Sequence, residues 1–97
     1  MNITQVKIQR IFHEEKHPNF KALVSITLDD SIAIHDMKVI ESEGRFFVAM
    51  PSRKAFGKEE GVTRFMDVVH PIGPEVRKEL EERVLSAYFQ ALEEWEE

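Results

Sequence analysis

The sequence predicts an α+β domain, an antiparallel β-sheet of about five strands with a long C-terminal amphipathic helix. Two changes along the chain carry this. Up to residue 70, apolar side chains recur with a period of two between short polar breaks, as in half-buried strands. Beyond Pro74 the spacing becomes three to four, the period of a helix with one apolar face. With 97 residues the chain makes one domain, 1–97, with a sheet part over 1–72 and a helical part over 73–97.

The first strand begins near Thr4 and sets Val6, Ile8 and Phe12 against Gln5, Lys7 and Gln9. The polar run from Glu14 to Asn19 contains Pro18 and reads as a turn. A second strand follows from Phe20 to Leu28, with Phe20, Ala22, Val24, Ile26 and Leu28 on one face and Lys21, Ser25 and Thr27 on the other. Asp29, Asp30 and Ser31 form a turn, because Asx side chains bond nearby backbone and tolerate turn dihedrals. The third strand, Ile32 to Ile40, sets Ile32, Ile34 and Ile40 opposite Ala33, His35, Met37 and Val39, which predicts cover on both faces. After the turn at Glu41 to Gly44 comes a short apolar strand, Arg45 to Met50, stopped by Pro51. Ser52 to Val62 reads as a polar loop, and Thr63 to His70 as a fifth strand ended by Pro71-Ile72-Gly73-Pro74.

Pro74 suits the first helical position and Glu75 complements the positive end of the helix dipole. Val76, Leu80, Val84, Ala87/Tyr88, Ala91/Leu92 and Trp95 then form the stripe that would cover one face of the sheet. Glu79 and Arg83, four residues apart, are placed to pair on the solvent side.

Composition narrows the function classes. The absence of cysteine excludes a disulfide framework, a thiolate metal site and a cysteine nucleophile. No basic start leads into a long apolar run, so neither a signal peptide nor a membrane span is expected, and the cytoplasm is the expected location. The net charge is −5, but from Pro74 onward there are eight acidic and three basic residues, so that segment alone accounts for the whole surplus. Residues 1–73 balance, and a local basic patch remains compatible with an acidic chain.

Catalytic patterns are weak. His13 and His17 flank a Pro-containing turn, and there is no HExxH motif. His35 and Asp36 are neighbours on a strand, where side chains alternate between faces and do not meet. Asp29-Asp30 belong to a turn. No P-loop, GxGxxG or nucleophile elbow occurs, and neither catalysis nor a metal or other cofactor is expected. The segment from Pro51 to Lys58 is more suggestive. Arg53, Lys54 and Lys58 supply point charges and forked donors suited to phosphate oxygens, Phe56 offers an aromatic surface, and Arg64 follows. A solvated loop, with Glu59 and Glu60 offsetting part of the charge, is the plain alternative.

Four blocks of the chain resemble the stage V sporulation protein G family, in the same order and with similar gaps. They are Ala22-Leu23-Val24-Ser25-Ile26-Thr27-Leu28-Asp29-Asp30, Ile34-His35-Asp36-Met37-Lys38-Val39-Ile40, Phe46-Phe47-Val48-Ala49-Met50-Pro51-Ser52-Arg53-Lys54 and Asp67-Val68-Val69-His70-Pro71-Ile72. The resemblance implies an antiparallel sheet with a C-terminal helical part, pairing into homodimers, and binding of DNA, in some members RNA, by regulators of gene expression linked to sporulation and septation. It also implies that the basic pair after the Met-Pro-Ser block, here Arg53 and Lys54, contacts the nucleic acid. The family's Pro-Asp-Gly loop is missing and Ala55 to Met66 is longer, so Lys58 and Arg64 enter as contacts on charge alone. A protein-interaction module that docks through the acidic helix is the rival class.

Overall fold

The computed structural model describes residues 2–12, 19–56 and 63–94, the side chains of Ala55, Phe56, Thr63 and Arg64 excepted. Strands β1 (Ile3–Ile11), β2 (Phe20–Leu28), β3 (Ile32–Ser42) and β4 (Arg45–Ala49) form an antiparallel sheet in the order β1-β2-β3-β4. Strands β5 (Ser52–Phe56) and β6 (Thr63–Asp67) pair separately, and α1 runs over Pro74–Glu94. The α+β class is as the sequence predicts. The departure is Ser52–Phe56, expected as a loop. Its backbone bonds are completed by β6, and because the core covers neither of its faces the strand carries no apolar alternation to announce it.

The turns follow from local chemistry. Asp29 and Asp30 have φ of 48° and 53°, the left-handed pair that closes a type I′ hairpin turn. The N–H of Ser31 donates to the Leu28 carbonyl at 2.8 Å. Across the strands, Asn2 donates its N–H to Asp29 Oδ1 at 2.8 Å, and the Asp30 N–H donates to Thr4 Oγ1 at 3.0 Å. Glu43 and Gly44, at φ 53° and 79°, make the same kind of turn between β3 and β4.

Bulges set which side chains face the helix. Register slips at Thr4 and Gln9 on β1 bring Ile3, Val6, Ile8 and Ile11 onto one face. Ile11 therefore takes the buried position expected for Phe12, and Phe12 turns to the opposite face. A slip at Lys21 likewise removes Phe20 from the core row and pairs it with Ile40. On β3 the chain passes from Ile34 to Met37 while β2 passes from Ile26 to Val24, with the extra residue at the His35-Asp36 step and Asp36 at φ 63°. Ile34, Met37 and Val39 thus share the helix face. The apolar residues that seemed to lie on both sides of this strand are largely one row interrupted by a bulge.

The core lies between that face and α1. Ala22, Val24, Ile26, Met37, Val39 and Val48 meet Leu80, Val84 and Tyr88 of the helix. Val76, expected in the stripe, is 52% exposed, and Trp95 lies outside the described residues. The expected Glu79–Arg83 pair is not formed. Arg83 Nη1 donates to the Ile3 carbonyl at 3.0 Å, and Glu81 instead pairs with Arg77 at 3.9 Å. The Val48 N–H donates to Glu81 Oε2 at 3.3 Å. The helix thereby reaches both edge strands, β1 and β4, as well as the core. The Cα envelope measures 46 × 36 × 21 Å. Its short dimension holds one helix, about 10–12 Å across, and one sheet, so among the described residues no second layer covers the far face of the sheet.

Candidate nucleic-acid interface

Arg53 and Lys54 stand on a two-stranded antiparallel arm. Its foot is closed by the Val68 N–H donating to the Pro51 carbonyl at 2.8 Å. Ser52 pairs with Asp67, Arg53 with Met66, Lys54 with Phe65, Ala55 with Arg64 and Phe56 with Thr63. Directly paired residues share a face and successive ones alternate. Arg53 and Met66 therefore lie on one side of the ribbon, and Lys54 and Phe65 on the other. Both cations are exposed and neither forms an ion pair among the described residues. Phe65 is 67% and Met66 54% exposed. Of the other expected contacts, Arg64 has its backbone in β6, with its side chain outside the described residues, and Lys58 lies outside them altogether. The structure brings Arg53 and Lys54 onto one two-stranded ribbon but on opposite sides of it.

The far face of the four-stranded sheet carries cations the sequence reading did not single out. Lys7 pairs with Ser25, Arg10 with Leu23, Lys38 with both Leu23 and Ala49, and Arg45 with Ser42. By alternation all four point away from the helix, and all four are exposed. Phe12 and Phe20 lie here too, with ring centroids 4.5 Å apart. The Arg10 guanidinium sits 4.9 Å from the Phe12 centroid, and Lys38 Nζ 5.5 Å from that of Phe20. Phe47, opposite Ile40, is half-buried on the same face. Four positive residues spread over three strands leave no run in the sequence. The signal that could have found them is the parity of each strand corrected for its bulges.

A concavity of about 490 Å³ joins the two surfaces. Phe12, Leu23 and Lys38 line it from the sheet, and Pro51, Ser52 and Val68 from the foot of the arm. Asp36, lifted by its bulge, is the carboxylate on its wall. A second concavity of about 230 Å³, between the start of α1 and the end of the sheet, is lined mainly by aliphatic side chains with His70 and Glu79.

The histidines assemble no catalytic group among the described residues. His35 Nδ1 is 3.0 Å from Ser25 Oγ, but Ser25 is only 6% exposed, so its hydroxyl is closed to a substrate. His70 Nδ1 lies 3.2 Å from the Pro71 carbonyl oxygen. His13 and His17 lie outside the described residues, and within those no three metal-ligating side chains converge. No described helix is long and apolar enough to cross a membrane.

Comparison with known proteins reaches the same chain from a different direction. A relative from Clostridioides difficile (strain 630), named "Putative septation protein SpoVG", is 45% identical over 96 residues, which cover 99% of this chain and 96% of the relative. A protein of the same name from Exiguobacterium sibiricum is 48% identical over 88 residues, 91% of this chain and 78% of its own length. One from Lachnospira eligens is 45% identical over 91 residues, 94% of each chain. The SpoVG family model matches residues 1–90, which takes in both sheets, the arm and most of α1. By that match and by relatives alike along nearly their whole length, the chain belongs to the SpoVG family.

Proposed function

We propose that this protein is a non-enzymatic regulator that binds DNA, and RNA in a second role, through the β5–β6 arm, and acts in the cytoplasm on gene expression connected with sporulation and septation. The observation that carries the reading is the arm itself. It holds Arg53 and Lys54 exposed, with no ion pair among the described residues, on a chain whose net charge is −5. Exposed cations that no described carboxylate engages are available to phosphate oxygens, whose contacts supply most non-specific nucleic-acid affinity. A two-stranded ribbon also has the width of the DNA major groove. Cations on both of its sides would meet the two phosphate walls. In this reading Lys58 and Arg64 add charge to that of Arg53 and Lys54, and the protein works as a homodimer whose two arms engage one duplex with greater avidity than either alone.

The septation names of the relatives support the wider cellular role and leave room for a second reading. The exposed surface of α1 bears Glu75, Glu79, Glu82, Glu93 and Glu94, beside Phe89 at 42% exposure. Such a surface suits a basic protein partner in the division machinery.

The test is a binding titration with labelled DNA and RNA at low and physiological salt. The Arg53→Ala/Lys54→Ala variant is expected to stay folded and to lose most of its affinity, with a shallower salt dependence. Full affinity in a folded double variant would refute the arm as the contact. Absence of binding by the unaltered protein would favour the acidic helix as the working surface.

A further inference from the structure

We infer that the helix-free face of the four-stranded sheet is a second nucleic-acid surface, specific for single strands and continuous with the arm. The inference rests on the nucleic-acid reading above and adds to it the kind of strand bound and the residues that bind it. Lys7, Arg10, Lys38 and Arg45 all project from this face, and none forms an ion pair among the described residues. The opposite layer of the molecule is the acidic helix, so the charge is polarised across the fold. Arg10 and Lys38 are held against aromatic rings, at 4.9 and 5.5 Å from the ring centroids. A cation fixed in this way loses less rotamer freedom when it meets a phosphate.

Strandedness follows from the aromatic content. A duplex presents its phosphates and hides its base faces, so aromatic rings on a flat binding surface gain little from it. A single strand splays its bases, and sheets that bind one use exposed aromatic side chains between cations. Phe47, half-buried on β4, is separated by two strands from β1 with Arg10 and lies next to the strand bearing Lys38. The concavity of about 490 Å³ between this face and the foot of the arm gives an unstacked base a place to enter. A strand crossing it passes from Lys38 to Ser52 and then to Arg53.

The experiment compares two folded variants, Arg10→Gln/Lys38→Gln on the face and Arg53→Ala/Lys54→Ala on the arm. Each is titrated by anisotropy against a labelled oligothymidylate of about 20 nucleotides and a duplex of similar length. Two fewer phosphate contacts lower the single-strand salt slope by about 1.4, a difference of about sevenfold between 50 and 200 mM salt. Arg10→Gln/Lys38→Gln is expected to show that drop on the single strand and to bind duplex within about twofold of the unaltered protein. In a Phe47→Trp variant the single strand should quench the added indole emission. If Arg10→Gln/Lys38→Gln loses its fold, Lys7→Gln/Arg45→Gln serves in its place with the same expectation. Unchanged single-strand affinity and slope in the face variant, with loss in the arm variant, overturns this inference and leaves the arm reading intact. Binding of neither oligonucleotide by the unaltered protein overturns both. A face variant that sediments as a different oligomer shows the face to be a seam between copies and overturns the inference as well.

Discussion

Two valines on the same face-to-edge sweep of α1 give a matched test of the fold. Val84 is fully buried between the helix and the sheet, whereas Val76, two turns earlier, is 52% exposed. Each changed to alanine loses the same two carbons. At Val84 the lost transfer energy is about 1.6 kcal/mol, from ~0.8 per buried carbon. Incomplete collapse around the vacated space adds a cavity cost, and the better helix propensity of alanine returns about 0.5 kcal/mol. The net destabilisation expected for Val84→Ala is about 2 kcal/mol, a large share of the ~5–15 kcal/mol typical of a domain this size. It corresponds to a fall in Tm of about 8–16 °C. Val76→Ala gains the same propensity and, with its side chain about half exposed, gives up only about 0.8 kcal/mol of transfer energy, so it should lie within about 0.5 kcal/mol of the unaltered protein. Urea unfolding followed by circular dichroism, at one fixed protein concentration, reads both. Equal costs at the two sites, or a cost below about 0.5 kcal/mol at Val84, would refute the docking of this helix face on the sheet.

Tyr88 is the only tyrosine, so its phenolate absorbance reports a single group. Burial, and then the charge of Glu41, raise its pKa above the ordinary value of 10.0. The folded state therefore favours the neutral phenol. Its contribution is whole below the unfolded pKa and fades as pH rises through the folded one. The folded protein should titrate later than the urea-unfolded chain, and Tyr88→Phe should remove that part of the alkaline loss of stability. Coincident titration curves would contradict it. Gly44, at φ 79°, faces open space where a Cβ would lie, so Gly44→Ala meets no clash and costs only the left-handed backbone, about 1 kcal/mol by thermal unfolding. A cost several times larger would mean the β3–β4 turn is more crowded than its geometry indicates.

The parts legible in the sequence were those where one physical signal dominates. The helix from Pro74 is marked by its first residue, its acidic first turn and its apolar stripe. Asp29-Asp30 and Glu43-Gly44 announced turns because their backbone needs residues that tolerate positive φ. Arg53 and Lys54 were visible as a basic pair beside a proline. The strand that carries them was not, because β5 is stabilised by pairing with β6 and by no buried face, and a period-two test sees only burial.

The open face was hidden for a different reason. A period-two reading assumes that parity is kept along a strand, and one bulge inverts it for every residue beyond. The slip at Gln9 exchanges Ile11 for Phe12, and the slip at Lys21 moves Phe20 to the side of Ile40. Both phenylalanines, assigned to the core by simple alternation, end on the helix-free face, each under a cation from the same or a neighbouring strand. Without the bulges, the rings would compete with Val84 and Tyr88 for the space beneath the helix. With them, the core is filled by smaller aliphatic side chains, and the aromatic groups join Lys7, Arg10 and Lys38 outside it. The bulges thus separate a mainly aliphatic face that stabilises the domain from a face bearing Phe12, Phe20 and the cations that contributes little to its core. That division of labour is what allows Arg10→Gln/Lys38→Gln to be read as a test of binding, while Val84→Ala is read as a test of folding.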